Sequence, residues 1–372
     1  MSDTNALSRF LRTHGVTPVG ATPARPETLP EEQVEDAFTN FEFEAERELD
    51  KWEPVIPPEA PAKSDEIPVR FIDGSHMQEP VLCLRSPAGY PVPLILSQVG
   101  AVAMRLDGRR LERCFHAVER GLGFVVDPFP WDEVEEFAAA LENHPSFRLR
   151  VLPARLRRDK SPYDYEVMRS QAVNRCQNEM LKLEVLALAA DPTVPTLVDG
   201  QLGGRIGAKS AAKRPLLIGA VKSPTPAPLH HRGWNALLNL RAGQRTPFFK
   251  DNRATRDEAT GEVKTVDVPL ACWYLRLAGG PRMAPNWGIV RIDVPWVQME
   301  RYSTAEQKTA FVNRLSRWLV DARCRAESYA RMPISLEPIV RAEEALKPLF
   351  TPLPVLANRL YRQAGFFRRN EL

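Results

Sequence analysis

Between residues 68 and about 116 the chain alternates short apolar runs with turn residues, the runs being 69–72, 81–85, 92–96, 99–105 and 110–116. In the first, Val69, Phe71 and Ile72 supply the β-branched and aromatic run of a core strand. This pattern predicts antiparallel strands joined by hairpins, with SPAGYP (86–91) and LDGRR (106–110) as turns. The period then changes. WDEVEEFAAALEN (131–143) predicts a helix capped near Asp132, and Ser161 followed by Pro162 announces a longer one running to about Ala190. Along its second half Met180, Leu183, Leu186 and Ala187 recur at helical spacing. Short strands follow at 196–198 and 216–221, then a short helix at 234–240 and a polar loop at 247–264. Strands at 270–277 and 287–293 are expected to pair through LAGGPRMAPN. A covering helix over about 304–329 and a last helix capped by Ser335 complete the series.

Two of these strands end in the same way. Residues 69–72 run into Asp73-Gly74, where the glycine is expected to let the backbone turn, and 196–198 run into Asp199-Gly200. An Asp-Gly pair is also the strongest two-residue hairpin signal, and Asp107-Gly108, between two strand-like runs with no other acid nearby, is read that way. Asp73 and Asp199 differ by context, because the long helix between them carries Glu166, Glu179 and Glu184. A strand–helix–strand unit can bring three such carboxylates to one end of a sheet. Hard divalent cations need oxygen ligands of this kind, and two of them about 4 Å apart can stabilise both attacking and leaving oxygens in phosphodiester hydrolysis. Glu179 lies beside Met180 and Leu183 at the border of the apolar stripe, Glu184 on the adjoining edge, and the spacing leaves both open. Lys222, closing the strand 216–221, is a cation able to meet a phosphate. Asp293 also ends a strand, but Val294 and Pro295 after it favour a structural role. Glu343 belongs to the last helix, and His230 and His231 are adjacent, point apart and are poor candidates to share a metal.

Composition narrows the partners. The 372 residues are 44% hydrophobic and 26% charged, as in globular proteins, and a net charge of only +3 excludes a uniformly basic surface. Nucleic-acid contact must then come from local clusters. One comprises Arg148, Arg150, Arg155, Arg157, Arg158 and Lys160; the more suggestive one, glycine-rich and directly after Asp199-Gly200, comprises Arg205, Lys209, Lys213 and Arg214. The five cysteines are scattered without a C-x-x-C pair, and no apolar run reaches the roughly 18 residues of a membrane span. A reduced cytoplasmic protein is expected, without a membrane. Residues 1–67, rich in proline and acid, read as an N-terminal arm with a short helix at 6–12 and an amphipathic helix at 30–52, docking on its own domain or on a partner. The main domain is then 68–350, followed by a tail at 351–372 that ends in FFRRNEL.

FIDGS (71–75), the Glu-bearing helix, LVDGQL (197–202), GAVKS (219–223) and MPISL (332–336) before a helix together resemble the NurA nuclease family over roughly residues 68–349. The resemblance implies an α/β fold of RNase H-like type, a mixed sheet flanked by helices. It also implies a Mn²⁺-dependent (or Mg²⁺-dependent) deoxyribonuclease with two ions, homodimeric, partnered by the hexameric HerA translocase in DNA end processing or anti-phage defence. Carried over, Asp73 and Asp199 match the family's strand-end aspartates and Glu179 its helix glutamate, with Glu184 as the alternative. Near the C-terminus the family shows Tyr-Pro and then a histidine. Here Met332-Pro333 stands for the first and Val340 or Arg341 for the second, which leaves Glu343 as a possible substitute. The other class of reading is a catalytically idle clamp that grips DNA or a motor without cutting.

Overall fold

The structure is a computed structural model that describes residues 9–11, 13–15, 17–18, 44–48, 51–144, 148–156, 164–222, 231–251, 254–256, 263–265, 268–279 and 287–364. The described strands are β1 Thr17–Pro18, β2 Arg70–Arg85, β3 Pro91–Asp107, β4 Arg110–Val125, β5 Arg150–Ala154, β6 Thr196–Asp199, β7 Leu217–Val221, β8 Phe249–Asp251, β9 Ala254–Arg256, β10 Val263–Thr265, β11 Leu270–Arg276 and β12 Ile289–Pro295. The helices are α1 Trp131–Glu142, α2 Tyr165–Ala190, α3 Ala208–Lys213, α4 His231–Leu238, α5 Trp296–Met299, α6 Ala305–Asp321, α7 Glu337–Leu346 and α8 Leu353–Ala364. One sheet in the order β5-β4-β3-β2-β6-β7-β12-β11-β8 holds all strands except β1, which adds to β2, and the separate ribbon β9-β10.

The sheet is mixed: β2, β3 and β4 form an antiparallel meander, β6 and β7 join β2 in parallel, and β12 and β11 return antiparallel. With helices on both faces this is the expected α/β class. The central strands are apolar on both sides because both sides are covered. Phe71, Leu197, Ile218 and Ile292 pack with Phe311, Leu315 and Leu319 of α6. Ile72, Val198, Leu217 and Cys272, one residue out of phase, pack with Leu183, Ala187 and Leu188 of α2. Side chains alternate across a strand, so each consecutive pair feeds both cores.

Two sequence expectations are corrected here. The five short runs are three strands of 16, 17 and 16 residues, because the polar stretches between them stay in the ladder: Gly74 pairs with Ala101, His76 with Val99 and Glu79 with Leu96. Asp73-Gly74 is therefore not a turn. Asp107-Gly108 is one, with Gly108 at φ +59° closing the β3–β4 hairpin opposite Arg110. The long helix is capped by Asp164, whose carboxylate accepts from the amides of Glu166 (3.0 Å) and Val167 (3.1 Å); Ser161 and Pro162 lie outside the described residues.

Described parts of the arm dock on the chain's own body. Phe10 stacks on Phe137 of α1 with centroids 4.3 Å apart. Glu46 receives two bonds from the fully buried Arg245, at 2.6 and 2.9 Å, while Arg245 Nε donates to Asn313 of α6. Most of the expected helix 30–52 and residues 365–372 of the tail lie outside the described residues. The described tail helix α8 buries Leu353, Leu356 and Leu360 in the cluster beside β2, β3 and β4.

Candidate active site

β2 and β6 run parallel, and their last paired residues, Ile72 and Val198, place Asp73 and Asp199 side by side one step further on. β6 ends there, while β2 continues against β3, so the sheet opens next to the two acids. Asp73 is 3% exposed, and its carboxyl feels the charge of Asp199 beside it. Burial first, and then the Asp199 charge, push the Asp73 carboxyl well above the usual carboxylate range, against the pull of Lys222. Two carboxyls this close hold a proton or a cation between them. Lys222, just past the end of β7, donates to Asp199 Oδ2 at 2.8 Å.

The helix acid that joins them is Glu184. Its side chain lies against the Cα of Gly74: a Cβ added there would stand 2.9 Å from Glu184 Cδ and closer still to Oε1. Glycine is needed at residue 74 for this approach, not for a turn. Arg205 Nε (2.8 Å) and Nη2 (2.6 Å) both donate to Glu184 Oε2. Burial, helped by the charge of Asp199, raises the Glu184 carboxyl in spite of this pair.

Glu179, assigned to the cluster by its distance before Asp199, is not there. Five residues along an α-helix turn a side chain by about 140°, so Glu179 and Glu184 cannot serve one point. Glu179 instead accepts from Lys182 Nζ at 2.7 Å and from Arg175, with Arg150 at 3.7 Å. Burial raises its carboxyl, but the bonds from Lys182 and Arg175 outweigh that and hold it below the ordinary range.

From α7, Glu343 acts on Asp73 through its charge. Tyr329 donates to Glu343 Oε2, and Lys347 Nζ is 2.9 Å from Oε1. Burial pushes the Glu343 carboxyl up; Tyr329, Lys347 and the charge of Lys222 more than offset it. Neither Tyr329 nor Lys347 stood out in the sequence. Both reach the site through Glu343, which comes to Asp73 only because a non-local strand and helix meet, and no local spacing signals that.

The remaining candidates are elsewhere. Asp293 is fully buried beside Gly219, bound by Arg291 Nε at 2.8 Å and Nη2 at 3.1 Å and accepting from Cys272 Sγ, so it is a closed ion pair. Of the second basic cluster only Lys209 and Lys213 face solvent; Arg205 is spent on Glu184, and Arg214 is buried. In the first cluster Arg150 pairs with Glu119 and Arg155 with Asp127, and residues 157–160 lie outside the described set, as does His230. As the side chains stand, no three His, Cys, Asp or Glu among the described residues converge to hold a metal ion. Arg205 bonds one oxygen of Glu184 and Lys222 one oxygen of Asp199. No helix among the described residues is long and apolar enough to cross a membrane.

No family model matches the chain, and no curated protein is similar to it in sequence. Among solved structures, the NurA nuclease from Sulfolobus solfataricus is similar with a TM-score of 0.43 and 10% identity, over 87% of this chain and 92% of that one. At that level of likeness the function has to be read from this chain's own carboxylates.

Proposed function

We propose that this chain is a metal-dependent deoxyribonuclease that hydrolyses phosphodiester bonds at Asp73, Asp199 and Glu184, with Glu343 at the margin and Lys222 and Arg205 as the cations of the site. One observation carries the reading: Asp73 is buried beside Asp199 at the ends of two parallel strands, where two neighbouring carboxyls favour a proton or a cation between them, while Glu184 is brought alongside through a glycine. The donor set is all oxygen and suits Mn²⁺ or Mg²⁺, in one or two ions. Such ions supply Lewis acidity toward water and phosphate oxygens. The chain's own residues do the rest. Asp73, inside the sheet, has its backbone fixed on two sides by β3 and the end of β6. Lys222, 2.8 Å from Asp199 Oδ2, can turn to a nonbridging phosphate oxygen and neutralise one charge of the scissile group. Arg205, at the margin of the cluster, can do the same for a neighbouring phosphate, leaving Glu184 Oε2 free. The motif resemblance adds DNA as the substrate, a homodimer, and a HerA-like translocase as the partner that holds and feeds it, in end processing or defence.

An idle clamp is the second reading, and a specific observation favours it: three of the four acids already have a partner, Asp199 in Lys222, Glu184 in Arg205, Glu343 in Tyr329 and Lys347. Titration with Mn²⁺ and a cleavage assay on linear DNA separate the two. Under the nuclease reading Mn²⁺ binds the wild type and cleavage appears with it; Asp73→Asn and Asp199→Asn abolish both while circular dichroism is unchanged, and the hairpin variant Asp107→Asn is silent. DNA binding with no Mn²⁺ uptake and no cleavage would establish the clamp.

A further inference from the structure

The end of the sheet opposite the acids holds a second cluster of charge. Pro192 and Thr193 precede β6, and Arg214 and Pro215 precede β7; with Ser210 and Lys213 of α3 and with Arg301 they line a cleft of about 580 Å³. β6 and β7 are parallel, so this cleft lies at their N-terminal ends while Asp199 and Lys222 stand at their C-terminal ends. At about 3.3 Å per residue the two places are roughly 15–20 Å apart.

Arg214 makes the cleft more than a basic surface. It is 6% exposed, its Nε is enclosed without a hydrogen-bond partner, and among the described residues no acceptor is hydrogen-bonded to the rest of its guanidinium. A like charge that acts on it is that of Arg70, which is committed to the C-terminal carbonyls of α2 at Ala187 and Asp191. Burial and that neighbour both push the Arg214 guanidinium below its ordinary range, opposed by Asp191. Asp191 is itself engaged by Thr193, through its amide at 3.1 Å and hydroxyl at 2.7 Å, and by Arg105 at 3.5 Å. Arg301, exposed, donates to the carbonyls of Pro215 and Arg214 and so is anchored at the cleft with a free edge. Lys213 is exposed at its rim. A buried guanidinium without an acceptor, flanked by two further cations, is a site short of one anion with several oxygens.

We infer that this cleft binds a single phosphate group, free or carried by a nucleic-acid backbone, with Arg214 as its buried ligand and Lys213 and Arg301 closing over it. The site stands whether or not the acids cut. It places a phosphate contact on the far side of the sheet edge from the scissile position, and it assigns Arg214 a role that burial denied it as a solvent-facing DNA contact.

Two measurements on the full chain test this. Thermal melts against inorganic phosphate, with chloride holding ionic strength constant, should show a saturable rise for the wild type that is lost in Arg214→Met and in Lys213→Ala. Anisotropy of a labelled single-stranded oligonucleotide, read in the Asp73→Asn background so that nothing is cleaved, should show the slope of log K against log salt falling by about 0.7 on Lys213→Ala. Competition between phosphate and the oligonucleotide assigns the site to the backbone; saturable phosphate binding without competition assigns it to a free phosphate or nucleotide. Should Arg214→Met fail to fold, Lys213→Ala and Arg301→Ala, both at exposed residues, carry the comparison. No saturable response to phosphate together with an unchanged salt slope overturns the inference, and since neither measurement involves cleavage, that result leaves the nuclease proposal untouched.

Discussion

Replacing Gly74 by alanine tests the join between helix and strand on which the candidate site depends. The φ of Gly74 is not positive, so alanine meets no backbone penalty there and gains about 0.5–1 kcal/mol over glycine in a strand. Its Cβ, however, would stand 2.9 Å from Glu184 Cδ, closer than side chains tolerate, with Cγ at 3.1 Å and Oε1 nearer than either. The whole outer half of Glu184 must swing by several tenths of an ångström. Its Oε2 is tied to Arg205 at 2.6 and 2.8 Å, and loosening those charge-assisted bonds costs about 1.5–3 kcal/mol. The net expectation is a loss of about 1–2 kcal/mol in urea denaturation with an unchanged m-value. If Glu184 takes part in cleavage, a displacement approaching 1 Å also lowers the Mn²⁺-dependent rate by about 10²-fold. Gly203→Ala is the control, since a Cβ there meets nothing within 4 Å and needs no unusual backbone. If Gly74→Ala matches Gly203→Ala in both stability and rate, Glu184 does not reach the aspartates.

Glu184→Gln should abolish cleavage, and Glu179→Gln, whose partners are Lys182, Arg175 and Arg150, should leave it within about twofold of wild type; the reverse order would restore the helix glutamate assigned from the sequence. Asp73 has a folded-state pKa above its unfolded value, so its contribution to stability is complete below about pH 4 and is lost as pH rises toward the folded pKa. In metal-free buffer the wild type should therefore lose stability relative to Asp73→Asn by up to ~1.4 kcal/mol per pH unit above pH 4, and parallel pH profiles would show that Asp73 is not strained by burial. Glu46→Gln leaves the fully buried Arg245 without its counter-charge and should cost about 3 kcal/mol in chemical denaturation; a loss below ~1 kcal/mol would mean that the arm is not anchored there.

What the sequence made legible followed from local pattern. The apolar doublets Phe71-Ile72, Leu197-Val198 and Leu217-Ile218 marked strands buried on both faces, and Asp73, Asp199 and Lys222 could be placed at the end of the sheet because each directly follows or closes such a run. The sequence ranks Glu184 behind Glu179 because choosing correctly between two acids about 140° apart on one helix needs the helix's rotation against the sheet. Gly74, whose missing side chain admits Glu184, reads as a turn residue in the sequence, since the same dipeptide closes the hairpin at Asp107. Helical starts depended on one side chain and slipped by a few residues, from Ser161 to Asp164. Arg205 and Arg214 looked alike in a basic run, yet one binds an acid of the cluster and the other lies buried at the opposite end of β7. Charge in a sequence gives sign and density; only the fold decides which partner each charge meets.

The three acids near Asp73 would repel it and one another strongly if each were ionised and bare. They are held instead by three cations and a hydroxyl: Lys222 on Asp199, Arg205 on Glu184, and Lys347 with Tyr329 on Glu343. Asp73 alone has no cation bound to it, and it is also the acid driven furthest toward its neutral form. A cluster balanced in this way is stable without an ion, so metal affinity under the proposed function is set by a competition in which Lys222 and Arg205 must be displaced. The two displaced cations are then the groups nearest an arriving phosphate. Substrate charge would thus favour the same rearrangement that a metal requires, and metal and DNA should bind with positive coupling. If the Mn²⁺ affinity of the wild type were unchanged by a saturating oligonucleotide that it cannot cut, Lys222 and Arg205 would be permanent partners of the acids, and the clamp reading would gain.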